Sequence, residues 1–241
     1  MSSRSNGQSN KSESFLNFVQ SNSPNAPEDL LLLERHKILD IDSGLKALEN
    51  PKMSTRVKDI ICWVFAKMRV KRASRPLARF LEKGNAKSAM VAATALSDLD
   101  NRDVIQSLIR IVKRSPEEKR RVAAAYALSF MHAPRAPRVL LNIFRDESNS
   151  VQLRSQAAEG LGNHWYRTAF PDLIKGLKDR NASIRFWSIF ALGQIGDRRA
   201  LPYLKRIAKT DKAKVPGWWS IRKEARDMIR SIENRPTTMK P

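Results

Sequence analysis

An apolar marker recurs along this chain at steps of 31, 32, 33, 31 and 37 residues, and this repeat limits the folds that the chain can adopt. Each marker stands at the end of a stretch with helical apolar spacing. The six markers are Phe65, Leu96, Leu128, Leu161, Leu192 and Ile229. Almost no stretch alternates between apolar and polar residues as a β-strand does. A repeat of this length without strands predicts a stack of helical hairpins.

Small residues and prolines divide each repeat into two predicted helices, a leading helix and a second helix. A small residue precedes the marker in four repeats: Ala95, Ala127, Gly160 and Ala191. Ten or eleven residues after the marker, three repeats carry a proline: Pro76, Pro171 and Pro202. Proline is tolerated in the first turn of a helix. The marker is therefore predicted to end the leading helix, and the proline to begin the second.

The repeat resembles the HEAT-like repeat found in bilin lyase subunits and in many bacterial proteins. The fifth repeat matches it most closely, at Ile184, Arg185, Ala191, Leu192, Gly193, Ile195, Gly196, Asp197, Arg199, Ala200, Pro202 and Leu204. The resemblance covers roughly residues 54–233. It implies an all-α fold, a right-handed α-solenoid of about five to six HEAT-like helical hairpins. Because the matched positions are mostly packing positions, a bilin lyase role is the least favoured function.

The composition predicts four segments. Residues 1–28 are rich in Ser and Asn, which predicts a disordered tail. Within it, a short docking turn is expected at Phe15, Leu16, Phe18 and Val19. We expect N-terminal capping helices over 29–53, the HEAT-like array over 54–233 and a C-terminal tail over 234–241.

Charge is the unusual part of the composition. The chain has 45 Lys and Arg against 24 Asp and Glu, a net charge of +21, and the excess lies in the region predicted to be folded. A folded surface with this balance attracts polyanions. No apolar run is long enough to cross a membrane, no secretory signal begins the chain, and Cys62 is the only cysteine. We expect a cytoplasmic monomer without a disulfide.

Three series of basic residues follow the repeat. The first lies near the start of the leading helices: Lys58, Arg121, Arg154, Arg185 and Arg222. The second lies in the turn after them: Arg72, Arg102, Arg135, Arg167 and Arg199, with Lys71, Arg75, Arg79 and Arg198 nearby. The third ends the second helices: Lys83, Arg114, Arg145, Lys178 and Lys209. Stacking the hairpins converts each series into a row that several phosphates can meet.

The three series do not have the same expected role. Asp179 lies six residues before Arg185, which resembles the Asp and Arg that join neighbouring HEAT repeats. Arg222 has no carboxylate at that upstream position, so it is predicted to be free for a ligand. Cations at the C-terminal end of a helix interact favourably with its dipole, so the third series is expected to be structural. Two roles remain possible for the turn series: its side chains are solvated at a turn, or they form a row that binds a ligand.

Two tryptophans interrupt the repeat in the segment "PGWWSIRK" and have two possible roles. Trp218 and Trp219 could stack on bases beside Arg222 and Lys223. They could instead cap the open end of the hydrophobic core, which is the favoured interpretation.

Catalytic signals are few. His36, His132 and His164 are far apart in sequence, and no metal-ligand spacing or glycine-rich phosphate loop is present. Asp59 and Trp63 share a helix face, which resembles the carboxylate and aromatic pair of alkylpurine DNA glycosylases. Glu159 occupies an ordinary position of the repeat, which does not indicate a catalytic role. No cofactor is expected, and the sequence favours binding over catalysis.

The leading hypothesis is a non-enzymatic basic solenoid that binds nucleic acid, DNA or RNA, mainly through phosphates. The alternatives are a scaffold for an acidic protein partner and a HEAT-like DNA glycosylase. The candidate nucleic-acid-binding residues are Lys58, Lys71, Arg72, Arg75, Arg102, Arg135, Arg167, Arg198, Arg199, Trp218, Trp219, Arg222 and Lys223.

Overall fold

The computed structural model describes residues 15–20 and 40–235, and within them the chain is helical with no β-strand. We number the helices from residue 41. They are α1 (Ile41–Glu49), α2 (Thr55–Lys67), α3 (Ser74–Lys83), α4 (Ala89–Leu99), α5 (Ile105–Arg114), α6 (Glu118–Phe130), α7 (Ala136–Arg145), α8 (Val151–Asn163), α9 (Phe170–Gly176), α10 (Ala182–Ile195), α11 (Leu201–Thr210) and α12 (Ile221–Glu233). None of these helices is long and apolar enough to span a membrane.

The helices alternate as the repeat predicts. The leading helices are α2, α4, α6, α8, α10 and α12, and five of them are followed by a second helix. Pro171 and Pro202 lie in the first turn of α9 and α11, where the missing N–H costs no intrahelical bond. The predicted fold class, an all-α solenoid of five to six helical hairpins, is confirmed.

Serine side chains fix where several leading helices begin. Ser54, Ser150 and Ser220 each accept a hydrogen bond from the backbone N–H three residues later. This bond satisfies one of the backbone donors that a helix start leaves without a partner. The start of each of these hairpins is thereby set locally, independently of its neighbours.

The chain divides into two compact units, residues 1–127 and 128–241. In the first unit α2 packs on α4, and α3 packs on α4. In the second unit α8 packs on α10 and α10 on α12, while α7 and α11 each pack on the leading helix that follows. Within each unit, a leading helix thus packs on its leading neighbour and on the second helix before it.

Small residues let the leading helices approach closely. A Cβ at Gly162 would lie 2.8 Å from the Cα of Ala191, and a Cβ at Gly193 would meet the side chain of Met228. The leading helices α8 and α10 therefore touch almost backbone to backbone at Gly162, and Gly193 leaves room for the Met228 side chain of α12. This explains why small residues accompany the repeat marker.

Part of the predicted N-terminal tail is described. Residues 15–20 are helical, and Phe15 and Val19 are fully buried. Phe15 lies against Gly44 of α1, where an added Cβ would come 3.1 Å from its ring. The rest of the predicted tail, residues 29–39 of the predicted capping segment, and residues 236–241 lie outside the described residues.

Candidate nucleic-acid interface

Each hairpin has two edges, and the predicted site residues are divided between them. At one edge the leading helix ends and a short turn leads into the second helix; we call this the turn edge. At the other edge the second helix ends and the next leading helix begins; we call this the ladder edge, after the contacts of Arg121, Arg154, Arg185 and Arg222. Because α10 has 14 residues, its two ends lie about 20 Å apart.

The turn edge is built in nearly the same way in most hairpins. The residue four after the repeat marker has a positive φ at Arg69, Asp100, Trp165 and Gly196. A single turn of 3-10 helix follows, as in Arg102–Val104, Arg167–Ala169 and Arg198–Ala200. Asn101 and Asp197 cap two of these turns by accepting a backbone N–H. The arginines of the turn series are placed on these exposed turns.

In residues 128–241 the turn edge carries four exposed arginines, Arg135, Arg167, Arg198 and Arg199. Arg199 is engaged: its Nη2 lies 2.6 Å from Asp197 Oδ2, and its guanidinium stacks over Phe170 at 4.7 Å. Hydrogen bonding from Arg199 lowers the pKa of the Asp197 carboxyl, and the charge of Arg167 lowers it further. Arg135 and Arg198 have no carboxylate partner within the described residues. This edge therefore presents three exposed cations around one paired carboxylate.

The turn edge of residues 1–127 is similar, but more of its arginines are paired with carboxylates. Lys71 and Arg102 are exposed and have no ion pair within the described part of the chain. Arg72 pairs with Asp42 at 3.0 Å, and Arg75 lies 3.6 Å from Asp103. Both pairs are largely exposed, where an ion pair contributes little and is readily exchanged for a ligand phosphate.

At the ladder edge the arginines bind the protein's own backbone. The guanidinium of each donates to a carbonyl at or just after the end of the preceding second helix: Arg121 to Val112, Arg154 to Phe144, Arg185 to Asp179 and Arg222 to Lys209. The carbonyls of Val112, Phe144 and Lys209 lie in the last turns of their helices, where they have no intrahelical partner and form the negative end of the helix dipole. The first basic series is therefore part of the packing between hairpins.

Two carboxylates complete the ladder. Asp179 pairs with Arg154 at 3.0 Å, and Asp211 pairs with Arg185 at 2.7 Å. Burial alone would raise the pKa of Asp211, but the hydrogen bonds from Arg185 and the Ala213 N–H, together with the charges of Arg185 and Arg222, outweigh it and the pKa is lowered. Asp179 receives Arg154 on its carboxylate and Arg185 on its carbonyl, so it joins consecutive hairpins as its spacing suggested.

Arg222 corrects one expectation. Its Nη2 donates to the carbonyl of Lys209 at 2.7 Å, so it is not left free for a ligand. The residue pattern does not indicate this bond, because the acceptor is a backbone carbonyl and not a carboxylate. Lys58, the first member of the same series, lies over the Phe80 ring at 5.7 Å.

A groove of about 820 Å³ opens at the ladder edge of residues 128–241. Its charged lining residues are Arg145, Glu147, Arg154, Asp172, Lys175, Lys178, Asp179 and Arg180. Arg145 forms two hydrogen bonds to Asp172, and Arg154 is paired with Asp179. Internal pairs thus neutralise much of this groove.

Trp218 and Trp219 belong to an aromatic cluster at the ladder edge. Trp218 lies 5.1 Å from Trp187 and 5.7 Å from Phe186, and Trp219 lies 5.7 Å from Trp218, between ring centroids. Both remain partly exposed, at 47% and 43%. They pack on the aromatic side chains of α10 and leave one side to solvent.

A buried carboxylate holds Trp219 in place. Glu224 is 2% exposed, and its Oε2 accepts the Trp219 Nε1–H at 2.6 Å. Burial raises the pKa of Glu224. Lys223 lies over the Trp219 ring at 4.4 Å and pairs with Asp227 at 2.7 Å. These contacts fix the ring and occupy the nearest cation, which leaves Trp219 poorly placed for stacking on a base.

The outward sides of α8 and α10 are not basic. Along α8 this side carries Gln152, Gln156, Glu159 and Asn163, and along α10 it carries Ser183, Trp187, Phe190 and Gln194. Neither row contains Lys or Arg. The exposed cations of these two hairpins are therefore at their edges and on their second helices, whereas α12 carries Arg226 and Arg230 on its exposed surface.

The glycosylase alternative gains little from the geometry. Burial raises the pKa of Asp59, whose Oδ1 has no hydrogen-bond partner within the described residues. Glu159 accepts a hydrogen bond from Gln156 at 2.8 Å. His164 Nε2 lies 2.8 Å from the Leu128 carbonyl, which is a packing contact. No group of His, Cys, Asp and Glu in the described part of the chain has the arrangement of a metal site.

The structure therefore separates the predicted site into two groups. Lys71, Arg72, Arg75, Arg102, Arg135, Arg167, Arg198 and Arg199 lie at or beside the turn edges, whereas Lys58, Trp218, Trp219, Arg222 and Lys223 lie toward the ladder edges. One residue absent from the predicted site lies among the first group: Trp165, which is 63% exposed. Aligning it with Gly196, four residues after the marker, would have singled it out.

Comparisons with known proteins agree with this architecture. Residues 136–222 match the family model described as HEAT repeats. An engineered protein of known structure is 15% identical, with a TM-score of 0.50, over 98% of this chain and 67% of its own. A second engineered protein is 16% identical, with a TM-score of 0.48, over 79% and 96%. The CpcE and CpcF complex of phycocyanin lyase from Nostoc sp. PCC7120 is 19% identical, with a TM-score of 0.46, over 80% and 95%.

No curated protein matches the sequence. At 15% identity, the engineered protein with a TM-score of 0.50 bears on the fold alone. The family match falls on α7 to the start of α12, where the marker, the small residues and the prolines are most regular. The predicted resemblance is thereby confirmed: residues 136–222 form an array of HEAT-like repeats.

Proposed function

We propose that this HEAT-repeat protein is a non-enzymatic binding protein that holds nucleic acid through phosphate contacts along its turn edges. One observation carries the proposal: Arg135, Arg167 and Arg198 are exposed on consecutive turns without a carboxylate of their own. The arginines of the ladder edge have internal acceptors. Arg135, Arg167 and Arg198 are therefore available to bind an anion from outside the chain.

The charge balance supports the same conclusion. Residues 128–235 contain 21 Lys and Arg against 10 Asp and Glu. Three of these carboxylates, Asp172, Asp179 and Asp211, are engaged in pairs that join hairpins. Such pairs neutralise charge inside the array and leave the exposed surplus positive. A surplus of this kind attracts a phosphate backbone without reading its bases.

Salt dependence tests the proposal. Fluorescence anisotropy with mixed-sequence DNA and RNA should show tight binding at low salt that weakens steeply by about 0.2 M. The triple variant R135A/R167A/R198A should lower the slope of log K against log salt by about 0.9 for each duplex phosphate that it no longer binds. Binding that ignores salt, or no binding at low salt, would contradict the proposal.

A matched variant at the ladder edge serves as the control. K178A/K209A/K212A removes three exposed cations from the same unit. It therefore changes the net charge by the same amount as R135A/R167A/R198A. Its salt slope should remain close to that of the wild type. Equal effects of the two triple variants would show that bulk charge, and not the turn edge, holds the ligand.

A scaffold for a protein partner is the second candidate. The exposed sides of Trp218 and Trp219 favour it, because partly buried aromatic patches are common in protein interfaces. Nuclease treatment during affinity capture separates the two functions. A partner that survives digestion and is lost in W218A/W219A would support the scaffold. Both candidate functions are compatible with the cytoplasmic location and monomeric state that the sequence predicts.

A further inference from the structure

Trp165 is the most exposed large apolar side chain of the described residues, at 63%. It follows α8 at the turn edge and stands two residues before Arg167. No other ring contacts its indole within the described part of the chain. Its exposure therefore leaves the faces of a large aromatic ring available beside a basic row.

The backbone at Trp165 is unfavourable for such a residue. Its φ is +48°, in the left-handed region, and its N–H bonds to the Gly162 carbonyl at 2.9 Å. The equivalent residue of the next hairpin is Gly196, with φ +74°. A left-handed conformation disfavours side chains with a Cβ, and a bulky residue there is uncommon. The local conformation therefore does not explain why this position carries a tryptophan.

Cations lie on the same edge as the ring, at Arg167 two residues after it and on the turn of the next hairpin. Arg167 lies close enough to Asp197 to lower the pKa of that carboxyl, so the turns of consecutive hairpins are neighbours. The second turn adds Arg198 and Arg199. An aromatic face within a row of arginines is the arrangement by which proteins hold an unpaired strand, because a base stacks on the ring while phosphates meet the cations.

The other exposed tryptophans lack this arrangement. Trp218 and Trp219 pack edge to face with each other, and Glu224 holds the Trp219 indole N–H. Their rings belong to a cluster at the ladder edge, and the nearest cation, Lys223, already lies over Trp219. Trp165 therefore differs from them in both surroundings and position.

We propose that Trp165 is a stacking platform for an unpaired base, so that the ligand of the turn edge is single-stranded nucleic acid. In a duplex both faces of each internal base are already stacked, and the ring has nothing to cover. This inference rests on the proposed function, because the flanking arginines position the strand through its phosphates. The ring then adds affinity that a basic row alone does not supply.

Anisotropy with three matched probes tests the inference: a single-stranded oligonucleotide, its duplex and an abasic strand of equal length. W165A should weaken binding of the normal single strand by about fivefold or more and change the duplex and the abasic strand little. W165F should retain most of the affinity, because it keeps an aromatic face. W218A, an exposed tryptophan at the other edge, is the matched control and should bind as the wild type does.

The possible results distinguish this inference from the proposed function. If W165A binds all three probes as the wild type does while salt still weakens binding, the stacking role is wrong and the phosphate-binding function stands. Equal losses of affinity for duplex and single strand in W165A would also overturn the stacking role. If the wild type binds none of the probes at low salt, the proposed function itself fails. Circular dichroism of W165A should show an intact helical fold, since the side chain is exposed.

Discussion

Arg185 and Arg198 lie at the two ends of one leading helix, α10, yet their surroundings are opposite. Arg185 is 17% exposed and binds the carboxylate of Asp211 and the carbonyl of Asp179. Arg198 is exposed and has no carboxylate partner among the described residues. The difference arises because second helices end beside Arg185 and present free carbonyls there. The same side chain is structural where the fold supplies acceptors and available for a ligand where it does not.

Removing each arginine should give the largest contrast between the two edges. Arg185→Ala leaves Asp211 and two carbonyls without their donor, which should lower the free energy of unfolding by about 3 kcal/mol. Arg198→Ala should change it by less than about 0.5 kcal/mol. Chemical denaturation of both variants measures the difference. Equal losses of stability would mean that the turn edge is as structural as the ladder edge.

A substitution at Trp165 should increase stability, in contrast to Arg185→Ala. Trp165→Gly should raise the free energy of unfolding by about 0.5–1 kcal/mol, because glycine adopts the left-handed conformation without strain. The reciprocal change Gly196→Ala should lower it by about 1 kcal/mol. Thermal denaturation of the pair provides the measurement. A loss of stability in Trp165→Gly would show that the indole packs on the protein and is not held for a ligand.

His164 tests whether any part of the turn edge is structural. Burial lowers its pKa, and His132 nearby lowers it further. The unfolded chain therefore takes up a proton near the ordinary histidine value while the native chain stays neutral, so stability is full at higher pH and falls as the pH drops. Replacing His164 with Gln should flatten this loss between pH 7 and 5 by less than about 1.4 kcal/mol per pH unit. An unchanged pH profile in denaturation experiments would place the loss in other groups.

The smallest expected effect concerns Asp197, the carboxylate that pairs with Arg199 at the turn edge. Asp197→Asn keeps a side-chain oxygen to cap the turn and removes one negative charge beside Arg167 and Arg199. Affinity for nucleic acid at low salt should rise by about two- to threefold, with stability changed by less than about 0.5 kcal/mol. Titration beside the wild type measures the rise. Weaker binding would indicate that Asp197 orients Arg199 toward the ligand.

The fold was predictable because its signals lie in side chains. Small residues such as Gly162 and Gly193 mark points of close helix approach, and prolines such as Pro202 mark helix starts. The packing between hairpins repeats these signals at a fixed period, so one sequence displays them several times. Helix order and turn positions follow from that repetition.

The candidate site was only partly predictable because its deciding features lie in the backbone. Every residue has a carbonyl, so the sequence does not show that Lys209 supplies the acceptor for Arg222. Helix length separates Arg198 from Trp218 by placing them at opposite edges, which residue type alone does not reveal. The left-handed φ of Trp165 becomes visible only by comparison with Gly196.

The left-handed position that follows four of the leading helices has a consequence for how such arrays diversify. In four hairpins it holds Arg69, Asp100, Trp165 and Gly196, which are a cation, an anion, an indole and no side chain at all. The hairpin forms in every case, so the chemistry displayed there is uncoupled from the architecture beneath it. Point changes at these positions can therefore retune what the surface recognises, one repeat at a time, while the stacked helices keep their spacing.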